Sequence, residues 1–471
     1  MIDLGVLDDE PDGEPRRRPG RHRLRPVALA LVAVLLLATG GSALPPPPVL
    51  AELATLPYQS GAPQNPYSRS GFVLTDKRIV TSVLQPGGTS WSVSAYELDR
   101  GHRVWTYVYP ASPNTQPELQ HLSDVVLVSG ARADGTDGMR TVALDERTGR
   151  ERWSLPHEVW ALHEGDDGLA VDRIYPTGSA LPDGVLPPGG SAYGSPWGRT
   201  YTQPPRYSAA GINLRSGEVR WRSGLLGAVG ANYDANFGDR ASLPGRGLVV
   251  TTGDGWVELW DLATGTVRHR FPERHPDAYS DLGRDLLLTG FQTNEITAYS
   301  NRDYRRLWIR QVHTGGSLAF CAGSELICAS TPDGALEIVD PTTGATLWRG
   351  GQGHNLGRAA GHLIEYVPDY PHPEPIRTVD PRTGVPLTNL TGWQNAVLRA
   401  DGPVLLTWEE ALTGSTWLGL LGPTAPAPVR LGRVPVSVAE CEVGAAVIAC
   451  VTIRQTLKVW RYRTTTVPGL Q

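Results

Sequence analysis

The chain has 471 residues, 43 basic and 48 acidic, for a formal net charge of −5 at neutral pH. With 40% apolar and 19% charged residues it is too apolar for a disordered chain. A mildly acidic balance without a basic patch excludes nucleic acid as a partner. Lys77 and Lys458 are the only lysines, so the basic residues are almost all Arg, a usage typical of GC-rich bacterial genomes.

Residues 1–15 are acidic and punctuated by Pro and Gly, and Arg16, Arg17, Arg18, Arg21, Arg23 and Arg25 follow. Val27–Leu44 then contains no charge, close to the lower limit of about 17–25 residues for a membrane-crossing helix. Arginines on its N-terminal side orient such a helix with the N-terminus in the cytoplasm. The expectation is a cytoplasmic tail (1–25), a signal-anchor helix (26–44) and an extracytoplasmic remainder. The alternative is a cleaved signal peptide, with Gly41-Ser42-Ala43 as the small-residue site. No Cys follows the apolar run, which excludes a lipoprotein anchor. Residues 45–70 begin with four prolines and read as a stiff, extended linker.

From residue 71 the chain repeats itself. An apolar residue plus Asp leads into x-x-Thr-Gly-x-x-x-Trp, as in Asp145, Gly149 and Trp153. The pattern recurs at Asn213, Gly217 and Trp221, at Asp340, Gly344 and Trp348, and at Asp261 and Gly265 with His269 in the Trp slot. Asp380 and Gly384 precede Thr388 in that slot, and degenerate copies place Gly101 before Trp105 and Tyr304 before Trp308. Successive glycine positions are spaced 48, 68, 48, 39, 40 and 40 residues apart, Tyr304 counted as one of them.

The unit reads as a β-hairpin. Asp or Asn opens the turn by accepting backbone N–H bonds, and Gly supplies a positive φ. Trp in the returning strand then has a large face to bury against the next repeat. Runs such as Val125–Val128 and Leu286–Leu288 read as strands buried on both sides. Units of about 40 residues with short strands indicate propeller blades. The expectation is an all-β propeller over 71–465, eight-bladed, with seven blades as the alternative. An eighth unit, 404–434, lacks the Thr-Gly turn. The last hairpin, 445–462, closes the ring with strands near 72–83.

Cys321 with Cys328 and Cys441 with Cys450 each bracket a short turn and an apolar strand. Two local disulfides outside the cytosol are expected; a zinc site and pairs of free thiols are the rival readings. The insertion behind the 68-residue spacing, 176–206, holds seven Pro and six Gly with Tyr193, Trp197 and Tyr201 among them. A loop of this length is either functional or a tolerated surface insertion; uncharged aromatics suit protein, peptide or glycan contact. His157/His163 and His269/His275 lack ligand spacing, and Asp134–Gly138 lacks the terminal acid of a calcium loop. No hydrolase elbow, phosphate loop or zinc-protease helix is present.

The Asp-x-x-Thr-Gly-x-x-x-Trp repeat, over 71–462, resembles that of the pyrroloquinoline-quinone-type β-propellers. That family contains quinone-dependent dehydrogenases and non-enzymatic propellers, among them the scaffold lipoprotein of the outer-membrane protein assembly machine. Its alcohol dehydrogenases use adjacent cysteines and a calcium-holding acidic cluster, and no two cysteines here adjoin. The resemblance therefore points to the non-enzymatic branch, and the composition to membrane-anchored members from actinobacteria. It implies a monomeric propeller with no catalytic, metal or cofactor residues. Its expected role is scaffold or ligand-binding sensor for another extracytoplasmic protein or a cell-envelope ligand. A quinone- or metal-dependent propeller enzyme is the alternative.

Overall fold

In a computed structural model of the chain, the structure describes residues 50–58, 71–112, 116–132, 138–161, 166–175, 193–194, 200–203, 205–230, 247–252, 255–274, 280–282, 286–290, 295–312, 318–368, 373–398 and 402–463. Among the described residues there is no helix; the expected membrane-crossing residues 26–44 lie outside them.

Nine four-stranded antiparallel sheets make a nine-bladed β-propeller. Blades 1 to 8 span residues 72–109, 118–155, 158–222, 228–274, 280–311, 318–352, 355–389 and 395–434. Blade 9 takes three strands from 438–461 and its fourth from Ala51–Pro57. The expected eight blades are thus corrected to nine. The last hairpin has its own first strand, Val438–Val443, and the ring closes through Ala51–Pro57 rather than through residues near 72–83. The closing strand lies inside the Pro-rich 45–70 segment. As an outermost strand it buries little: only Leu56 and the following Tyr58 are fully covered, so it carries no apolar run that would announce a strand.

The second and third strands of a blade lie between neighbouring sheets, which is why their apolar runs do not alternate. Val125–Ala131 is buried at every position, whereas the fourth strand Arg103–Tyr109 alternates between exposed and buried. Apolar cores accordingly form between blades. One joins blades 1 and 2 around Trp91 and Val128, and another joins blades 9 and 1 around Leu56, Phe72 and Leu457.

The repeated turn locks each seam. Asp145, Asp261, Asp340 and Asp380 accept the N–H three residues on, at 2.8–3.0 Å. Gly149, Gly217, Gly265, Gly344 and Gly384 adopt φ of 66–73°. The indole of the preceding blade lies flat on that glycine. A Cβ on any of the five would meet atoms of Trp105, Trp153, Trp221, Trp308 or Trp348 at 2.4–2.8 Å. Each of these indoles donates its Nε1–H to a carbonyl of the same turn (Glu146, Leu214, Leu262, Pro341 and Pro381) at 2.6–3.1 Å. Thr388 keeps the pattern where Trp is missing, its hydroxyl donating to the Pro426 carbonyl at 2.6 Å. At the closing seam Ala54 occupies the Trp position, its Cβ 2.9 Å from where a Cβ of Gly101 would stand.

Cys321 is bonded to Cys328 across the first turn of blade 6, and Cys441 to its cross-strand partner Cys450 in blade 9.

Candidate functional site

Every blade runs up and down, so its loops divide between two faces. The first-to-second and third-to-fourth turns form one face, called here the turn face. The second-to-third loops and the connections between blades form the other, the loop face.

The inserted segment of blade 3 belongs to the loop face, because it joins Asp167–Ile174 to Arg206–Asn213, the second and third strands. Within it Tyr193–Gly194 and Thr200–Tyr201 pair as a short ribbon with Tyr193 opposite Tyr201. Trp197 lies outside the described residues. At the stem, Asp172 pairs with Ser208 and Ile174 with Arg206. Beside that stem a cleft of about 60 Å³ is lined by His157, Asp172, Ser208, Arg222 and Ser223. His157 Nδ1 stands 3.9 Å from Asp172 Oδ2. The backbone carbonyl of His157 accepts from the Thr141 hydroxyl of blade 2 at 2.9 Å, and Ser223 Oγ accepts from the Ala209 N–H at 2.8 Å. A cleft of this size has room for a few ordered waters or one small side-chain group; organic ligands occupy pockets of about 300–1,000 Å³. Sequence reading does not find this cleft, because its residues arrive from four separate segments. The only sequence signal is the insertion beside it.

The acidic side chains serve the ring. Asp145 is held down to about 2 by the Arg152 guanidinium and the Thr148 hydroxyl. Arg152 Nη2 stands 2.6 Å from Asp145 and 2.7 Å from Asp124. Asp261 pairs with Arg268. Glu258, Glu337 and Glu365 are buried as well. Glu337 accepts from Arg310 of blade 5 and from Thr346, each at 2.5 Å. Glu365 accepts from the Gly351 N–H of blade 6 at 2.9 Å, from Arg377 at 2.6 Å, and pairs with His354 at 2.6 Å. Burial pushes Glu365 up, and these donors outweigh it, leaving the carboxyl below its ordinary range.

Near the ring axis Glu440 and Glu442 lie on the first strand of blade 9. Glu442 ties that blade to blade 1 by accepting the Leu74 N–H at 2.9 Å. Glu440 is pushed up to about 8, by burial and then by the neighbouring Glu442. Among the described residues no group of three or more His, Cys, Asp or Glu is arranged to hold a metal ion. His269 stacks on an aromatic ring; His163, His275, Asp134 and Asp137 lie outside the described residues.

The two faces differ in charge. The third-to-fourth turns are crowded with ionised residues, such as Asp99-Arg100, Glu146-Arg147, Arg302-Asp303 and Asp380 with Arg382. All the connections from one blade to the next contain only Arg69 and Asp277. The second-to-third loops of blades 1, 5 and 8 have no charge, those of blades 4, 6, 7 and 9 have one each, that of blade 2 holds Arg132, Asp134 and Asp137, and that of blade 3 holds Asp183 and Arg199.

Residues 206–367, from the third strand of blade 3 to the second strand of blade 7, match the family model described as outer membrane protein assembly factor BamB. No curated protein matches the chain. Among solved structures, the chain is similar to BamB from Moraxella catarrhalis (12% identity, 88% of this chain and 100% of that one, TM-score 0.38). It is also similar to the computationally designed Ika8 protein (12% identity, 87% and 99%, TM-score 0.43). A third similarity is to the C-terminal WD40 domain of Sif2 (11% identity, 89% and 99%, TM-score 0.38). The chain is a nine-bladed β-propeller whose residues 206–367 match that family model.

Proposed function

We propose that this is a non-catalytic extracytoplasmic propeller, held to the membrane by its N-terminal apolar stretch and acting as a scaffold that binds another envelope protein. The observation that carries this reading is where the carboxylates stand. Asp145, Asp261, Asp340 and Asp380 cap turns, and Glu337 and Glu365 are ion-paired between or within blades. These six carboxylates are thereby engaged in holding the ring. Two disulfides favour an oxidising compartment, and the arginines before an uncharged Val27–Leu44 favour a signal-anchor. The similarity of 206–367 to a family named for a protein-assembly factor supports protein binding.

The test is fractionation of producing cells together with an activity assay. The full chain is expected in the membrane fraction and sensitive to protease added to cells whose outer layers have been opened. A chain lacking residues 1–49 and retained in the cytoplasm serves as the protected control. Purified propeller supplied with quinone and calcium is expected to show no dye-linked oxidation of alcohols or sugars. Measurable turnover overturns the scaffold reading.

A further inference from the structure

We propose that the cleft of blade 3 is a binding site for the acetamido group of an N-acetylated amino sugar. The inference does not depend on the scaffold reading, since it concerns a saccharide ligand rather than a protein partner. The cleft exists because one cross-strand row is short of side chain. Three residues before the turn-opening Asp or Asn, the third strand carries Val142 in blade 2, Glu258 in blade 4 and Arg377 in blade 7. These pair with Val128, Val250 and Glu365 of the second strands. The same row in blade 3 is Ala210 paired with Ala170. Two methyls stand where those blades place larger side chains, and about 60 Å³ is left open.

The alanines form the floor, both being buried, and polar groups form the rim. Residues two apart on a strand share a face, so Asp172, paired with Ser208, stands beside the alanines. Arg222 pairs with Ala210 on the outer side and is exposed. These polar groups lack partners. His157 Nδ1 is buried with no hydrogen bond among the described residues, and its 3.9 Å to Asp172 Oδ2 is too long for one. The Asp172 carboxylate, the Ser208 hydroxyl and the Arg222 guanidinium likewise make no side-chain hydrogen bond among the described residues. Leaving a buried polar atom unpaired is costly, and a bound group that pairs it recovers that cost.

A group entering this cleft meets methyls at the floor, donors at Arg222 and Ser208, and an acceptor at Asp172. An acetamido group answers all three. Its methyl rests on Ala170 and Ala210, its carbonyl oxygen accepts from the Arg222 guanidinium, and its N–H donates to the Asp172 carboxylate. It is also neutral, so no isolated charge is carried onto an apolar floor. The space admits one such group, and the rest of the ligand lies outside. A sugar ring attached through that nitrogen meets the polar rim with its hydroxyls. The Asn or Gln side chain of a protein offers an amide but no methyl for the floor.

Saturation-transfer NMR of the full-length protein, purified in a detergent without a sugar headgroup, tests the assignment. The acetyl methyl of N-acetylglucosamine is expected to receive the strongest saturation. Glucosamine, glucose and the peptide Gly-Asn-Gly are expected to bind at least tenfold more weakly. Asp172→Ala and Arg222→Ala are each expected to weaken N-acetylglucosamine binding at least tenfold. Ala170→Val with Ala210→Val rebuilds the row found in blade 2, fills the floor and is expected to abolish binding without lowering the melting temperature. Neither Asp172 nor Arg222 is buried, so those two variants keep the test standing should the filled variant melt early. Binding retained by the filled variant, or by both alanine variants, overturns the site. Equal binding of glucosamine or glucose overturns the amide assignment, and equal binding of the peptide overturns the saccharide class. No saturation transfer to N-acetylglucosamine at about 10 mM overturns the proposal. The scaffold reading is judged separately, by fractionation and the oxidation assay.

Discussion

His269 of blade 4 lies flat on Tyr304 of blade 5, ring centroids 4.4 Å apart and planes 12° from parallel. His269 occupies the position where other blades carry Trp, and Tyr304 the position where they carry Gly, with φ 58°. Two departures from the repeat thus occur together and complement each other. A smaller ring in the first blade leaves space, and a side chain on the turn residue fills it. The left-handed backbone costs Tyr304 roughly 1–2 kcal/mol, offset by stacking on His269 and by edge contact with Phe271.

A double-mutant cycle with His269→Ala and Tyr304→Gly is expected to give a coupling energy of about 0.5–1.5 kcal/mol. His269→Trp alone is destabilising, because the indole collides with the Tyr304 ring. The pair His269→Trp, Tyr304→Gly rebuilds the usual seam and recovers stability to within about 1 kcal/mol of the parent. Additive single effects in urea or thermal melts would refute the coupling. Burial holds the His269 imidazole below its ordinary range. Its contribution is complete above about 6.5 and is lost as pH falls below that value.

The Trp–Gly seam makes a sharper prediction at Trp308 and Gly344. Gly344 has φ 72°, and a Cβ there would stand 2.8 Å from the Trp308 ring. Gly344→Ala combines backbone strain with overpacking and is expected to cost about 1–3 kcal/mol. Trp308→Phe removes the Nε1–H bond to the Pro341 carbonyl, leaves that carbonyl unpaired and costs about 1–3 kcal/mol. Thermal melts of the two variants check both values, and a neutral Gly344→Ala would show that the seam can open without penalty.

These seams are legible in the sequence because a cap, a positive φ and a flat ring each demand particular residue types at fixed spacing. The ninth blade is not. Its outer strand, Ala51–Pro57, meets the rest of the blade only through ring closure, so the turn that would announce it is replaced by the two ends of the ring. Its seam residue is Ala54 instead of Trp. The cleft of His157, Asp172 and Arg222 is hidden for another reason: strand pairing such as Asp172 with Ser208 spans the long insertion, and no local pattern encodes it. The contrast between faces is present in the composition of the loops, but reading it needs the strand ends that sort loops by side.

Closure by Ala51–Pro57 predicts that the ring depends on a segment remote from the rest of blade 9. Leu56 is 4% exposed and packs with Leu457 and Val459, and Lys458 pairs with Glu52 at 2.9 Å. Leu56→Asp places a carboxylate among apolar side chains without a partner and is expected to cost about 3 kcal/mol or more. Glu52→Gln removes an exposed ion pair and costs at most about 1 kcal/mol. Limited proteolysis of the Leu56 variant is expected to cut first at the opened seam between blades 9 and 1. Equal resistance of the two variants would place closure elsewhere.

Glu440 gives the ring a pH dependence of opposite sign to its ion-paired carboxylates. Burial and the adjacent Glu442 raise its carboxyl from 4.5 to about 8, so the folded chain binds the proton more tightly than the unfolded one. The stability it contributes is complete below about 4.5 and drains away as pH climbs through about 8. Glu440→Gln, which keeps the shape and cannot ionise, is expected to leave the melting temperature unchanged near pH 4.5. It is expected to raise it relative to the parent at pH 9. Glu365, which lies below its ordinary range, responds in the other direction: its contribution is present above the ordinary carboxylate range and falls on acidification. A parent-minus-variant difference for Glu440→Gln that stays flat from pH 4.5 to 9 would mean that Glu440 ionises as freely in the ring as in the unfolded chain.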